Sequence, residues 1–111
     1  MRSVIKNAPI AISEPTHYEA RANLMYASTW ALNGFVRGSK RQAWTVHPME
    51  HELSAYYDIT HGLGLAILTP PWMQYVLSDK NVSRFKRFAT HVFNIDSAQD
   101  DMTIAKAGIA A

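Results

Sequence analysis

Apolar residues recur every three or four positions along most of this 111-residue chain, and that period is typical of helices that bury one face. No segment alternates apolar and polar residues as a half-buried strand would. The pattern predicts an all-α helical bundle. Its expected helices cover about residues 1–12, 16–36, 44–57, 62–77, 80–93 and 97–111.

Several expected boundaries follow from residues that start, bend or stop helices. Thr16 and Glu19 have the spacing of a capping box, and a helix begun there is expected to run to about Val36, near the helix-ending Gly34. The last helix has a weaker start signal over residues 97–100. Pro9 is expected to weaken the first helix, and Pro70-Pro71 to kink or interrupt the fourth. Residues 39–43 are expected to form a polar loop.

Composition indicates one globular domain with an unusually apolar surface. Apolar residues make up 48% of the chain and charged residues only 18%, against roughly 25% charged in an average soluble domain. A compact helical protein would fit these values. A piece of a larger protein, whose apolar faces meet partners outside this chain, would fit them as well.

Charge and cysteine content exclude several classes of function. The formal net charge is only +2, and no basic stripe interleaves with aromatic residues, so nucleic-acid binding is not expected. The chain has no cysteine and therefore neither disulfides nor thiolate metal ligands. No apolar run is long enough for a signal peptide core or a membrane span. We expect a cytoplasmic protein without membrane contact.

Three of the five histidines, His47, His51 and His61, lie within one short segment. His47 and His51 are four residues apart, which places them on one face of a helix. An unbroken helix would carry His61 about 21 Å from His47, too far for one metal ion. The three can meet only if the chain reverses direction over residues 58–60, where polar residues precede Gly62.

Carboxylate ligands are harder to place. A catalytic metal site needs about three or four protein ligands, and the nearby candidates are Glu50, Glu52 and Asp58. Neither glutamate shares a helix face with both His47 and His51. The set of ligands therefore looks incomplete within this chain.

Two other interpretations remain open at this point. Residues 47–51 spell H-x-x-E-H, the inverted zinc-peptidase motif, with Glu50 as general base. That motif needs a glutamate ligand further along, and no glutamate follows Glu52. Alternatively, the chain is a small helical interaction module whose histidines are incidental. His17 and His91 are expected to be surface or packing residues.

A longer pattern is far more specific. It resembles the second signature of the iron-containing (group III) alcohol dehydrogenases, and in particular their NAD(P)H-dependent butanol dehydrogenase branch. The similarity covers about residues 14–95. Its central part reads Trp44-x-Val46-His47-x-x-Glu50-His51-x-Leu53-Ser54-Ala55-x-x-x-Ile59-x-His61-Gly62-x-Gly64.

The resemblance implies part of an all-helical C-terminal domain in a dehydroquinate synthase-like fold. It implies that His47 and His61 are two of four metal ligands, the others being an Asp and a His on an earlier helix. His51 would be the non-ligand histidine beside nicotinamide and substrate, with a catalytic role. The metal would be Fe²⁺, or sometimes Zn²⁺, and the parent enzyme would interconvert aldehydes and alcohols with NAD(P)H as a homo-oligomer.

The chain also departs from that family's pattern. Its five glycines are dispersed, so the glycine-rich dinucleotide-binding loop is missing, and no aspartate precedes His17. We also expect the C-terminal end of the helical domain to be missing. We therefore expect a fragment without the N-terminal α/β domain, inactive as a dehydrogenase by itself and a weak binder of metal.

Overall fold

The computed structural model describes residues 1–37 and 44–111, so the expected loop at 39–43 lies outside the described residues. The described residues form six α-helices and one short 3-10 helix, with no strand among them, which confirms the all-α prediction. The chain divides into two compact units, Met1–Gln42 and Ala43–Ala111. The helices are α1 Arg2–Ser13, α2 Tyr18–Leu32, α3 Val46–Tyr57, α4 His61–Val76, α5 Val82–Phe93 and α6 Asp101–Ala110, and the 3-10 helix is Phe35–Arg37.

In the first unit, α1 and α2 pack against each other. Helix α1 continues through Pro9, so the expected weakness does not interrupt it. Asn7 is buried, and its side-chain amide donates to the Ser3 carbonyl at 2.7 Å. That bond satisfies a polar group which would otherwise be costly to bury.

The start of α2 differs from the predicted capping box. The N-cap is His17, whose ring Nδ1 accepts a hydrogen bond from the Ala20 backbone N–H at 3.2 Å. Because the helix begins one residue later than expected, Glu19 stands one position too early to complete a box with the actual cap, His17. The prediction of Thr16 as cap was wrong, and so was the interpretation of His17 as a simple surface residue.

Helix α2 also ends earlier than predicted. It stops at Leu32, where Gly34 adopts a left-handed conformation with φ 85° and the Asn33 side chain accepts from the Phe35 N–H at 2.9 Å. A left-handed residue of this kind is a common way to end a helix. Phe35 lies outside the helix and is 76% exposed.

In the second unit, α3 and α4 form a helical hairpin. Asp58 adopts the left-handed conformation with φ 52°, and its N–H donates to the Ser54 carbonyl at 2.9 Å. The predicted reversal over residues 58–60 is therefore confirmed. Helix α4 contains Pro70 and Pro71 without interruption.

Helices α5 and α6 make the most extensive helix pair of the chain's described part. Their contact is built from small residues, with Gly108 buried directly against Ala89. Small side chains let two helix backbones approach closely, and the larger Ile104 fills the space beside them. The buried apolar residues here are Ala89, Ile104, Ala105 and Ile109.

Helix α6 begins later than the sequence signal suggested. Asp100 is the N-cap, and its Oδ1 accepts from the N–H groups of Met102 at 3.1 Å and Thr103 at 3.0 Å. The expected start near Ser97 was wrong because Asp100 satisfies these two donors itself. Hydrogen bonds from Thr103 lower the pKa of Asp100, because they favour its charged form.

This cap makes the stability of α6 depend on pH. Because the pKa of Asp100 is lower in the folded chain, its contribution is present above the unfolded value of about 3.9 and is lost as pH falls through the folded value. We expect Asp100→Asn, which retains a cap acceptor but cannot titrate, to lose less stability between about pH 6 and pH 3. Thermal unfolding followed by circular dichroism measures this. Parallel pH dependence in both proteins would contradict it.

Many large apolar side chains are exposed, as the composition suggested. Tyr75 is 88% exposed, Tyr56 83% and Ile12 79%, whereas fully buried apolar residues are few. Exposed apolar surface on this scale commonly marks contacts with other protein. No helix in the described part of the chain is sufficiently long and apolar to cross a membrane.

Candidate functional site

The α3–α4 hairpin brings the three clustered histidines together. His47 is the second residue of α3, His51 lies one turn later, and His61 is the first residue of α4. Their ring centroids are 6.4 Å apart for His47 and His51, 5.3 Å for His47 and His61, and 5.5 Å for His51 and His61. The three rings can meet because the chain reverses direction after Asp58, between α3 and α4.

The first turn of α3 explains how His47 reaches this place beside a proline. Pro48 is the third residue of the helix, where a backbone N–H has no partner within the helix, so its missing donor costs little. The His47 N–H donates to the Trp44 carbonyl at 3.1 Å. The Trp44 ring also packs edge-on against the His47 imidazole, with centroids 4.6 Å apart.

Glu50 lies beneath the histidines and is fully buried. One carboxylate oxygen accepts from the Ser54 hydroxyl, and the other contacts Nδ1 of His61. The His61 side chain is 51% exposed, so its ring extends from a buried anchor towards an open surface. This contact joins α3 to α4 at the centre of the site.

These hydrogen bonds also affect the pKa of Glu50. The Ser54 hydrogen bond lowers the pKa of Glu50, burial opposes it, and the hydrogen bond and charge of His61 lower it further. An ionised carboxylate can only accept hydrogen bonds. An N–H at Nδ1 of His61 can therefore donate to Glu50, while Nε2 lies at the other edge of the ring.

Gly64 lies on the other side of the Glu50 carboxylate. A Cβ atom added at Gly64 would come within 2.6 Å of Glu50 Oε1 and 2.7 Å of its Cγ. Such contacts are shorter than real Cβ atoms tolerate. The absence of a side chain at Gly64 is thus what allows a buried glutamate between α3 and α4.

Metal-ligand atoms of Glu50, His51 and His61 lie within 4.8 Å of one another, the one such cluster of three among the residues that the structure describes. Glu50 was one of the three carboxylate candidates from the sequence, but its contact with His61 was not expected because only the faces of α3 were compared. Glu50 joins His61 across the hairpin, not along the helix. Gly64, one turn after His61, is a sequence signal for this close approach.

The donor set fits a transition metal. Imidazole nitrogens suit iron and zinc, and the rings of His47, His51 and His61 meet at one end of the hairpin. His51 and His61 are exposed, so an ion held here would remain accessible to further ligands.

The other candidate residues have different surroundings. Asp58 ends α3 and Glu52 is exposed on it. His91 is an exposed residue of α5 whose ring lies 2.9 Å from the Thr90 hydroxyl. Glu50 is buried with both oxygens engaged, which is unsuitable for a peptidase base that must activate a water molecule.

Known proteins share this sequence along nearly its whole length. NADH-dependent butanol dehydrogenases A and B of Clostridium acetobutylicum are each 51% identical to it over 109 residues, which is 98% of this chain and 28% of each relative. NADPH-dependent aldehyde reductase YqhD of Escherichia coli is 37% identical over 110 residues, again 98% of this chain and 28% of the relative. The chain thus spans little more than a quarter of their length.

Residues 1–111 match the C-terminal part of the Fe-containing alcohol dehydrogenase family. The match includes the hairpin that carries His47, His51, Glu50 and His61. By this match over its whole length, the chain belongs to the Fe-containing alcohol dehydrogenase family.

Proposed function

We propose that this chain supplies the helical metal-binding part of an NAD(P)H-dependent alcohol dehydrogenase that reduces small aldehydes and oxidises the corresponding alcohols. The observation that carries the proposal is the convergence of His47, His51 and His61 on one hairpin. Relatives named as butanol dehydrogenases and an aldehyde reductase support the substrate class.

His47 and His61 are the proposed metal ligands, and Fe²⁺, or alternatively Zn²⁺, is the proposed ion. Their ring centroids lie 5.3 Å apart, which suits two imidazoles that meet at one ion. The remaining ligands, an aspartate and a histidine, would come from an earlier helix outside this chain. Nicotinamide binding would also lie outside it, in an α/β domain, so the chain alone is expected to lack activity.

The bound metal would polarise the substrate carbonyl as a Lewis acid. A reduced nicotinamide bound by the rest of the enzyme would supply a hydride to the carbonyl carbon, and the oxygen would need a proton to give the alcohol. His51 is exposed one helical turn from His47 and 5.5 Å from the His61 ring. We assign His51 to the substrate side of the site, where its imidazole can supply that proton.

A chimera tests the proposed activity. This chain would replace the matched 109 residues of NADH-dependent butanol dehydrogenase A. We expect the purified chimera, loaded with Fe²⁺ or Zn²⁺, to oxidise NADH in the presence of butanal. His51→Ala is expected to retain the metal and lose about 10²–10⁴-fold in kcat, the usual contribution of a proton-transfer group.

His91→Gln is the matched control, because it changes an exposed histidine on α5. It should leave both metal content and turnover unchanged. A folded, metal-loaded chimera without NADH-dependent activity would contradict the proposed function.

The structure also supports a second set of metal ligands, Glu50, His51 and His61. Donor atoms of Glu50, His51 and His61 lie within 4.8 Å of one another, so a metal between them would use Glu50 and His51 in place of His47. The two sets make opposite predictions for single variants. With His47 and His61 as ligands, His47→Ala loses metal and His51→Ala keeps it. With the second set, His51→Ala loses metal and His47→Ala keeps it.

A further inference from the structure

The role of Glu50 is not explained by the proposed ligands or by proton transfer. It is a fully buried acidic residue in a chain whose few buried residues are mostly apolar or small. Burial of an isolated carboxylate is costly, so its partners must stabilise the charge. Those partners are Ser54 on the same helix and His61 on the next.

We propose that Glu50 is a positioning residue that fixes the ring orientation and tautomer of His61. In this arrangement Nδ1 of His61 donates to the carboxylate, and Nε2 faces the open side of the site with a free lone pair. Ser54 orients the carboxylate, and Gly64 leaves room for it. The inference rests on the proposed function in that Nε2 is the atom offered to the metal.

The donors and acceptors present around Glu50 support a hydrogen bond from Nδ1 of His61 to the carboxylate. Ser54 donates to one carboxylate oxygen, so the carboxylate is held at both ends when His61 occupies the other. Glu50 is fully buried, and its other oxygen lies at the Nδ1 edge of the imidazole, where a ring N–H can donate to it. Histidine ligands in metal sites commonly donate their second ring nitrogen to a carboxylate in this manner.

Steric contacts hold the carboxylate in the same place. Gly64 lies one turn after His61 on α4 and presents bare backbone to the Glu50 side chain. Any side chain there would displace the carboxylate, as the 2.6 Å approach of a Cβ to Oε1 shows. His61 and Gly64 thus bracket Glu50 from one helix, and Ser54 holds it from the other.

The contact of Glu50 with Nδ1 of His61 distinguishes two roles for Glu50, orientation of His61 and direct binding of the metal. Nδ1 and Nε2 lie on different edges of the imidazole ring, and Glu50 occupies the Nδ1 edge. A metal bound through Nε2 is therefore out of reach of the Glu50 carboxylate. Direct ligation by Glu50 would require the metal to break the His61–Glu50 hydrogen bond and bind through Nδ1.

Nitrogen-15 NMR of His61 in the metal-free chain tests the proposal directly. At about pH 8, where imidazole is neutral, we expect the wild-type chain to have its proton on Nδ1 and its lone pair on Nε2. A His61 ring that carries its proton on Nε2 would overturn the proposal. This measurement involves neither metal nor activity, so its result is independent of whether the proposed function holds.

Two variants perturb the carboxylate from different sides. Glu50→Gln replaces it with an amide that can either accept or donate, and Gly64→Ala pushes it away by steric contact. Both should mix the His61 tautomers. Gly62→Ala is the matched control, because a Cβ there meets nothing within 4 Å, and it should keep the wild-type tautomer. An unchanged tautomer in folded Glu50→Gln and Gly64→Ala proteins would contradict the assignment.

Zn²⁺ titration, followed by the same His61 signals, links the tautomer to metal binding. We expect Glu50→Gln and Gly64→Ala to weaken Zn²⁺ binding about 10–100-fold, with coordination through Nε2 retained. Ser54→Ala, which removes a donor without touching a histidine, should weaken it less. Coordination of wild-type His61 through Nδ1 would show that Glu50 is not a positioning residue. If the chimera with butanol dehydrogenase A, which would supply the remaining ligands, binds no Zn²⁺ while the tautomers behave as expected, the proposed function fails and the positioning of His61 stands.

Discussion

His61→Ala in the chimera is expected to weaken metal binding by more than about 100-fold. Loss of a group that only supports a ligand typically costs 10–100-fold, and loss of the ligand itself should cost more. The physical reason is specific to the hairpin. His61 is the residue through which α4 reaches the other two histidines, and its removal leaves the buried Glu50 without one of its two partners.

The measurement is metal content after dialysis, together with competition against a chelator of known affinity. His91→Gln serves again as control, because it also removes an exposed imidazole but from α5. Circular dichroism must show that the variant remains helical. Retention of one tightly bound metal ion in folded His61→Ala protein would exclude His61 as a ligand.

Gly108→Ala is expected to have the largest effect on the stability of the second unit. A Cβ at this position would come within 2.4 Å of the Ala89 Cβ and 2.7 Å of its Cα, which is backbone and cannot move aside cheaply. Overpacking of this kind typically costs about 1–3 kcal/mol. Alanine's higher helix propensity returns at most about 1 kcal/mol. The helices α5 and α6 would have to separate.

We expect the unfolding midpoint of Gly108→Ala to fall by roughly 5–20 °C, as judged by calorimetry or circular dichroism. Gly62→Ala provides the comparison, since it makes the same chemical change in open space. It should be neutral or stabilise by up to about 1 kcal/mol through lower entropy of the unfolded chain. Equal midpoints for Gly108→Ala and Gly62→Ala would contradict the close α5–α6 contact.

Existence of the helices was predictable from the sequence, whereas their exact starts were not. The apolar period places α3, α4 and α5 correctly because it depends on many residues at once. A cap depends on which single side chain reaches the first free N–H groups. His17 and Asp100 take that role from Thr16 and Ser97. Cap preferences favour threonine over histidine and rate aspartate and serine about equally, so they could not identify either cap.

The positions of the three histidines could be predicted from their spacing in the sequence, whereas the contacts between α3 and α4 could not. The spacing of His47 and His51 and the turn before His61 indicated that the three rings can meet, and the structure brings them within 6.4 Å of one another. The contact of Glu50 with His61 depends on how closely α4 approaches α3. That distance is decided by Gly64, whose missing side chain has an effect only once the two helices are packed.

The most direct test of the account is anomalous X-ray scattering from crystals of the metal-loaded chimera. We predict one metal peak about 2.0–2.1 Å from a ring nitrogen of His47 and from Nε2 of His61, with Glu50 hydrogen-bonded to Nδ1 of His61 and His51 unbound. A peak bound by Glu50, His51 and Nδ1 of His61 would contradict that assignment. So would a metal held without either His47 or His61.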